Sequence, residues 1–316
     1  MLLGHETAWR EWRKALGGER MHHAWLLAGR RGVGKGSFAF AAACELVGVD
    51  PADAQNHPDI LTLTYAPKDD KEERKRADGK PYEVARSIRI AQVRGMQARL
   101  GTRPTLGDKR AIIIDPADDL ERNAANALLK SLEEPPIGTY FLLVAHSPAR
   151  LLPTIRSRCR VLRFPTVSDA EMDRLLANLS PGADTATRAA SIAAAGGSPG
   201  AALQFVDMEL GKVRQAMDAI LARGDPDFQL RGTLAGLIGA RPDRERIRAV
   251  LELARSAVAQ RLDGAMADPR PVIDTHSELV RLTGEQPTYN FDVGLLAMEI
   301  GTLLAKAATA SERADG

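Results

Sequence analysis

The amino-acid sequence predicts an α/β domain built on a parallel β-sheet, followed by a part made of helices alone. In the first half of the 316-residue chain, short apolar runs alternate with helix-length segments, a pattern typical of buried parallel strands joined by crossover helices. The runs end near residue 165, and beyond it apolar residues recur at spacings of three and four, which favours helices. The length favours roughly two or three domains.

Five segments of the first half are short and apolar enough to be buried strands. They are residues 23–29, 59–64, 110–115, 140–145 and 161–165. Three segments between them are predicted to be helices. Lys35–Val47 follows a glycine-rich turn, residues 90–100 carry apolar side chains at helical spacing, and residues 124–134 end at two prolines, which cannot continue a helix. Residues 68–80 carry almost only charges of both signs and are predicted to be a solvated loop.

The second half is predicted to be helical throughout. Residues 168–176, 185–195 and 201–208 form a small helical group, bounded by turns rich in glycine and proline. Further helices follow to about residue 308, with breaks at 224–226, 242 and 268–269. The predicted domains are therefore an α/β domain over 1–165, a small helical lid over 166–207 and an all-helical C-terminal domain over 208–316.

Composition excludes several classes of function. The 43 basic and 41 acidic residues give a net charge of +2, without the basic excess of a dedicated nucleic-acid binder. No apolar run approaches the ~20 residues of a membrane span, and the first residues lack the apolar core of a signal peptide. We therefore expect a cytoplasmic protein without membrane contact. Cys44, Cys159, His22, His23 and His57 lack the spacing of metal ligands, so we expect no metal site.

The strongest local motif is a glycine-rich loop between the first predicted strand and the first predicted helix. It has the spacing of a P-loop, whose backbone N–H groups surround a phosphate chain while a lysine adds positive charge. Its candidate nucleotide-binding residues are Gly29, Gly32, Gly34, Lys35, Gly36 and Ser37.

Two departures from the P-loop pattern argue against ATP hydrolysis. The position after Lys35 normally carries a hydroxyl that binds Mg²⁺, but here it is Gly36; Ser37 lies about 100° further around the helix. The strand 111–115 ends in Asp115, a candidate for the metal shell, but Pro116 stands where related ATPases usually carry a glutamate that polarises water. We therefore expect at most weak or metal-independent binding of ATP, ADP or phosphate, and no required cofactor.

Other acidic residues near these motifs have a structural explanation. Asp118 and Asp119 stand just before a predicted helix and are interpreted as N-cap and first-turn acids. Glu133 and Glu134 close the helix before the two prolines and are interpreted as exposed residues of a helix end. From its sequence position alone, Arg158 is most simply an ordinary surface arginine, like Arg156 and Arg160.

Two further segments carry a family resemblance. Residues 126–136 read NALLKSLEEPP, and residues 152–159 read LPTIRSRC. Together they resemble the clamp-loader family of AAA+ proteins, for which the Ser-Arg-Cys motif is characteristic. Residues 22–24, 57–59, 115–117 and 197–203 are also similar to that family. The similarity covers about residues 22–203, whereas the C-terminal third shares only a compatible helical pattern.

The resemblance implies a specific role in DNA replication. It implies an α/β P-loop AAA+ domain, a helical lid and a C-terminal collar that mediates oligomerisation. Arg158, in the Ser-Arg-Cys motif, would be an arginine finger acting in trans on the ATP site of a neighbouring motor subunit. Gly36, Pro116 and Gly200, which replaces a sensor arginine, indicate a subunit without hydrolysis of its own, within an assembly that serves a DNA polymerase.

The resemblance also implies partners and leaves alternatives open. The partners would be the gamma/tau motor subunits, a delta subunit, the sliding clamp and primed DNA. Some relatives carry a four-cysteine zinc module after the P-loop helix, but Cys44 is alone in that region, so we expect no zinc. The main alternative is an active P-loop ATPase of the motor type. A double-stranded DNA-binding module is disfavoured because the sequence lacks a basic stripe.

Overall fold

The computed structural model describes residues 5–54, 56–208, 210–262, 268–285 and 292–312. The chain divides into two compact units, and the boundary between them in the sequence lies between Thr166 and Val167. The strands of the first unit are β1 (Ala24–Ala28), β2 (Ile60–Leu63), β3 (Arg110–Ile114), β4 (Thr139–Ala145) and β5 (Arg160–Arg163). Its helices are α1 (Glu6–Leu16), α2 (Lys35–Val47), α3 (Asp70–Ala77), α4 (Ile90–Leu100), α5 (Arg122–Glu133) and α6 (Pro153–Arg156).

The five strands form one sheet in the order β2-β3-β4-β1-β5, and every neighbouring pair is parallel. Strand β1 therefore lies between β4 and β5, so that Leu26 is opposite both Leu143 and Val161. Helices on both faces cover the sheet, and every residue of β1 and β3 is buried. The predicted α/β architecture with a parallel sheet and flanking helices is confirmed.

Each face of the sheet has its own hydrophobic core. On one face, Trp12 of α1 and Phe38 of α2 pack with Trp25 and Leu27 of β1. On the other face, α4 and α5 cover the sheet, with side chains that include Leu128 of α5. The three tryptophans of the chain, at positions 9, 12 and 25, all belong to the first unit. Their fluorescence therefore reports on this unit alone.

A buried ion pair joins Arg110, the first residue of β3, to Asp59, which directly precedes β2. Asp59 and Arg110 are 0% and 3% exposed, and their nearest side-chain atoms lie 3.2 Å apart. The Asp59 carboxylate also accepts hydrogen bonds from the backbone N–H groups of Thr105 and Leu106. The Arg110 guanidinium donates to the carbonyl oxygen of Arg99, in the last turn of α4, and to those of the loop residues Thr102 and Arg103, at 3.1 and 2.9 Å. Both buried charges are thus paired and hydrogen-bonded, which is the arrangement that a buried charge requires.

The charged segment 68–80 is not the irregular loop that the sequence analysis predicts, because it contains helix α3. Asp69 caps this helix by accepting hydrogen bonds from the backbone N–H groups of Lys71 and Glu72. Glu72 is buried, and it accepts from the Lys75 ammonium and from the backbone N–H of Glu83. The mixed charges support a helix here since opposite charges lie three residues apart, a spacing that places them on one helical face.

The second unit is helical, as predicted. Its helices are α7 (Asp169–Leu179), α8 (Thr185–Ala195), α9 (Pro199–Asp207), α10 (Gly211–Arg223), α11 (Gln229–Ile238), α12 (Arg244–Ala259), α13 (Arg270–Glu285) and α14 (Val293–Glu312). Residues from both sides of the predicted 207/208 boundary, among them Met172, Ile192, Val213 and Leu251, belong to one hydrophobic core. The division of this unit into a lid and a collar stays a prediction. Among the described helices, none combines the length and the apolar composition that crossing a bilayer requires.

Candidate functional site

The glycine-rich loop leaves the carboxyl end of β1 and enters α2 at Lys35. A Cβ atom at Gly29 would lie 2.4 Å from the carbonyl oxygen of Phe164, so that only glycine fits there. Gly32 and Gly34 have φ angles of 80° and 97°, a region that side chains other than glycine rarely adopt. Close packing therefore requires glycine at position 29, and backbone conformation favours it at positions 32 and 34.

The side chain of Lys35 is turned back onto the loop. It is only 2% exposed, and its Nζ atom donates hydrogen bonds to the carbonyl oxygens of Gly29, at 2.7 Å, and Arg30, at 2.6 Å. Burial lowers the pKa of Lys35 to about 8, although the carboxylates of Asp115 and Asp118 act in the opposite direction. The ammonium group thus lies inside the loop, where a P-loop lysine would meet a phosphate.

The Asp115 carboxylate lies directly against Gly36. Asp115 follows β3, and a Cβ atom at Gly36 would be 2.5 Å from its Oδ2 atom. Burial raises the pKa of Asp115, and the charges of Lys35 and Arg31 oppose that effect. The carboxylate therefore occupies the space into which a threonine or serine at position 36 would project. Ser37 is exposed, and Pro116 leads into a single 3-10 turn at Ala117–Asp119.

Replacing Gly36 with alanine is expected to destabilise the first unit, because the new methyl group collides with the Asp115 carboxylate. Overpacking costs about 1–3 kcal/mol; because rotation of the Asp115 side chain and the better helix propensity of alanine offset part of this cost, we expect a net value of about 1 kcal/mol. The matched control is Gly95→Ala in α4, where a Cβ atom would meet nothing within 4 Å; there the better helix propensity of alanine should stabilise by up to ~1 kcal/mol. Urea unfolding followed by tryptophan fluorescence measures both. Shifts of the same sign would contradict the collision.

Asp118 and Asp119 bind to residues that follow neighbouring strands of the sheet. The buried Asp118 carboxylate accepts hydrogen bonds from the backbone N–H groups of His146, at 3.1 Å, and Ser147, at 2.6 Å, directly after β4. Asp119 accepts a hydrogen bond from the Tyr65 hydroxyl and pairs with Arg150 at 2.9 Å. Both acids are structural, but Asp118 holds the chain after β4 rather than capping α5.

His146 lies close to Lys35 and Asp118, at the exit of β4. Burial and, to a smaller extent, the Lys35 ammonium lower its pKa to about 4, against the opposing effect of the Asp118 carboxylate. Its side chain is therefore neutral near pH 7. A neutral imidazole supplies no positive charge to a nucleotide.

Arg158 lies on the short turn between α6 and β5. Its Nη1 atom donates a hydrogen bond to the carbonyl oxygen of Thr154 at 2.9 Å, and its Nη2 atom is 2.7 Å from the Oε1 atom of Glu133. The Arg158 side chain remains 35% exposed. Arg160, two residues later, instead places its guanidinium over the ring of Trp25. Sequence reasoning missed Glu133 as a partner of Arg158, although both residues lie in the motifs that carry the family resemblance.

The P-loop and Arg158 lie at opposite ends of the parallel strands, the P-loop at the carboxyl end and Arg158 at the amino end. The P-loop follows the carboxyl end of β1, whereas Arg158 precedes the amino end of β5, where Trp25 is paired with Arg160. The four-residue length of β5 corresponds to about 13 Å. The structure therefore brings Lys35, Gly36 and Asp115 together but places Arg158 away from them. The geometry is incompatible with Arg158 serving the P-loop of its own chain.

The cysteines and histidines form no metal centre in the described part of the chain. Cys44 and Cys159 are free thiols, the first buried and the second partly buried. Among the described residues, no group of three or more His, Cys, Asp or Glu side chains is arranged to hold a metal ion.

Three comparisons with known proteins identify relatives. The sequence model of a family described as "DNA polymerase III, delta subunit" matches residues 4–168. The DNA polymerase III subunit delta' of Pseudomonas aeruginosa is 35% identical over 60% of this chain and 58% of its own length. The Escherichia coli subunit of the same name is 30% identical over 69% of this chain and 64% of its own length. The alignments thus span about three fifths of these relatives.

Other relatives carry different subunit names. The DNA polymerase III subunit tau/gamma of Haemophilus influenzae is 31% identical over 51% of this chain and 22% of its own length. A solved structure of a gamma subunit-related protein from Thermotoga maritima, 15% identical, superimposes with a TM-score of 0.55 over 96% of this chain and 99% of that one. This likeness shows that the two chains share a fold.

The family match covers the whole α/β unit, including the P-loop, Asp115 and the Ser-Arg-Cys turn. It confirms the resemblance on which the sequence analysis relies. The chain belongs to the DNA polymerase III delta-subunit family, and within it the chain is similar to the delta' (delta-prime) proteins.

Proposed function

We propose that this chain is a non-hydrolysing subunit of a clamp loader, which donates Arg158 to the ATP site of a neighbouring motor subunit. The observation that carries the proposal is the position of Arg158, which is partly exposed and lies at the amino ends of the strands, opposite to the end that carries its own P-loop. An arginine in that position is available to a phosphate on another chain. A guanidinium supplied in this way neutralises charge that develops on the transferring phosphoryl group.

The remnant P-loop supports the absence of hydrolysis. Asp115 fills the space beside Gly36 where a Mg²⁺-binding hydroxyl would stand, and Pro116 offers no carboxylate to polarise water. Lys35 and the backbone N–H groups of the loop still suit an anion. We propose that this loop binds ATP, ADP or phosphate at most weakly, and that the protein requires neither a nucleotide of its own nor zinc.

The proposed partners follow from the similarity to subunits of one assembly. They are the gamma/tau motor subunits, a delta subunit, the sliding clamp and primed DNA. Relatives of this chain include subunits named delta' and subunits named tau or gamma, which supports membership of a complex that contains both. In that complex the chain would help to load the clamp during DNA replication.

We expect the purified chain to show no ATPase activity above background, with or without primed DNA. The reason is the missing magnesium ligand and the missing glutamate, each of which a hydrolytic P-loop requires. The measurement is steady-state phosphate release, with Lys35→Ala as the control that exposes a contaminating ATPase. DNA-stimulated turnover that disappears in Lys35→Ala would instead favour an autonomous ATPase.

The direct test of the proposed role is the ATPase activity of the reconstituted complex that contains Arg158→Ala. Loss of turnover with intact assembly supports a finger acting in trans.

A further inference from the structure

The guanidinium of Arg158 is supported from two different elements. Thr154, within α6, accepts from Nη1 through its backbone carbonyl, and Glu133, the last residue of α5, accepts from Nη2 through its carboxylate. An arginine side chain has several rotatable bonds and loses much conformational freedom when it is fixed. Two acceptors at the two different terminal nitrogens restrict the direction of the planar group as well as its position.

The end of α5 that carries Glu133 is itself anchored to the sheet. The ring of His23, just before β1, has its Nε2 atom 2.9 Å from the carbonyl oxygen of Leu132, the residue before Glu133. Glu134, the residue after Glu133, is also exposed but makes no ion pair with any described residue. The two neighbouring glutamates therefore share a helix end and differ in their contact with Arg158.

We propose that Glu133 is a positioning residue, whose carboxylate holds the guanidinium of Arg158 in the direction needed to meet the phosphates of a neighbouring subunit. The inference rests on the proposed function, in which Arg158 acts in trans. Glu133 contacts no phosphate itself and acts through Arg158. Its contribution is orientation, which matters because a misplaced group loses much of its effect in a transition state.

The experiment measures the ATPase of the reconstituted complex, with clamp and primed DNA, for Glu133→Ala and Glu134→Ala. Glu133→Ala is expected to lower kcat about two- to five-fold with KM unchanged. The effect is modest because a half-exposed ion pair contributes little free energy to holding the Arg158 guanidinium in one orientation. Glu133→Gln retains an oxygen that can accept from Nη2 and should fall between the wild type and Glu133→Ala. Glu134→Ala should equal the wild type. Assembly is checked by gel filtration for every variant.

The double variant Arg158→Ala/Glu133→Ala separates positioning from a general structural role. If Glu133 acts through Arg158, the second substitution has no further effect once Arg158 is gone. An equal proportional loss in both backgrounds would overturn the inference, as would a Glu133→Ala complex with unchanged or faster turnover. If Arg158→Ala itself leaves turnover unchanged, it is the trans-acting finger that fails, so the two failures are distinguishable.

Discussion

Arg158→Ala is expected to lower ATP turnover at the neighbouring site by about 10³-fold or more. This is the range in which an arginine finger accelerates phosphoryl transfer, since no other group replaces its charge in the transition state. The guanidinium is partly exposed, and the contacts with Glu133 and Thr154 that alanine removes lie at the surface. The substitution should therefore not disturb the fold or the assembly of the complex.

The measurement is the steady-state ATPase of the motor subunits reconstituted with this chain, delta, clamp and primed DNA. The matched control is Arg156→Ala, which removes an exposed arginine two residues earlier in the same segment. Arg156→Ala should leave turnover at the wild-type level. If Arg158→Ala also left turnover unchanged in an intact complex, Arg158 would be an ordinary surface residue, and the motor-type ATPase would become the leading alternative.

Asp59→Asn is expected to destabilise the first unit by about 3–5 kcal/mol. The substitution preserves the size of the side chain but leaves the Arg110 guanidinium buried without its counter-charge, and breaking a buried ion pair in this way is costly. The control is Asp78→Asn, which removes an exposed pair with Lys80 and should cost at most about 1 kcal/mol. Urea unfolding followed by tryptophan fluorescence reports on this unit.

The effect of Asp59→Asn should also depend on pH. Burial alone would raise the pKa of Asp59, but the N–H groups of Leu106 and Thr105 and the Arg110 guanidinium together lower it below 3.8. A carboxylate with a lowered pKa in the folded state stabilises above its unfolded pKa and loses that contribution as the pH falls through the folded value. The difference between wild type and variant should be constant near pH 7 and shrink below about pH 4. A difference independent of pH would contradict the role of this charge.

Much of the first unit could be predicted because its signals are local. Helix α2 matches the predicted bounds, since a glycine-rich turn precedes it and Gly48 ends it in the left-handed region. The apolar runs of β1, β3 and β4 are likewise visible in the sequence. Helix α3 is missed for a local reason too. The charges of residues 68–80 are interpreted as those of a solvated loop, whereas the Asp69 cap and the paired charges favour a helix.

The contacts that define the candidate site could not be predicted in the same way. The approach of Asp115 to Gly36 joins residues on different elements, and so does the pairing of Glu133 with Arg158. Sequence spacing indicates which residue types are present but not which of them meet across a sheet. The role of Arg158 is predicted from the resemblance, and the structure adds that Arg158 lies at the end of the strands opposite to the P-loop.

Because the P-loop and Arg158 lie at opposite ends of the strands, the two surfaces that this chain would present to neighbouring subunits differ. In a head-to-tail ring, every chain would receive an arginine at one side and give one at the other, so that the interfaces are heterologous. A chain that supplies an arginine to one neighbour but has no hydrolysing ATP site of its own would leave one interface of the ring without hydrolysis. It would make an otherwise repeating ring asymmetric, and the row of ATP-hydrolysing interfaces would have a defined first and last member.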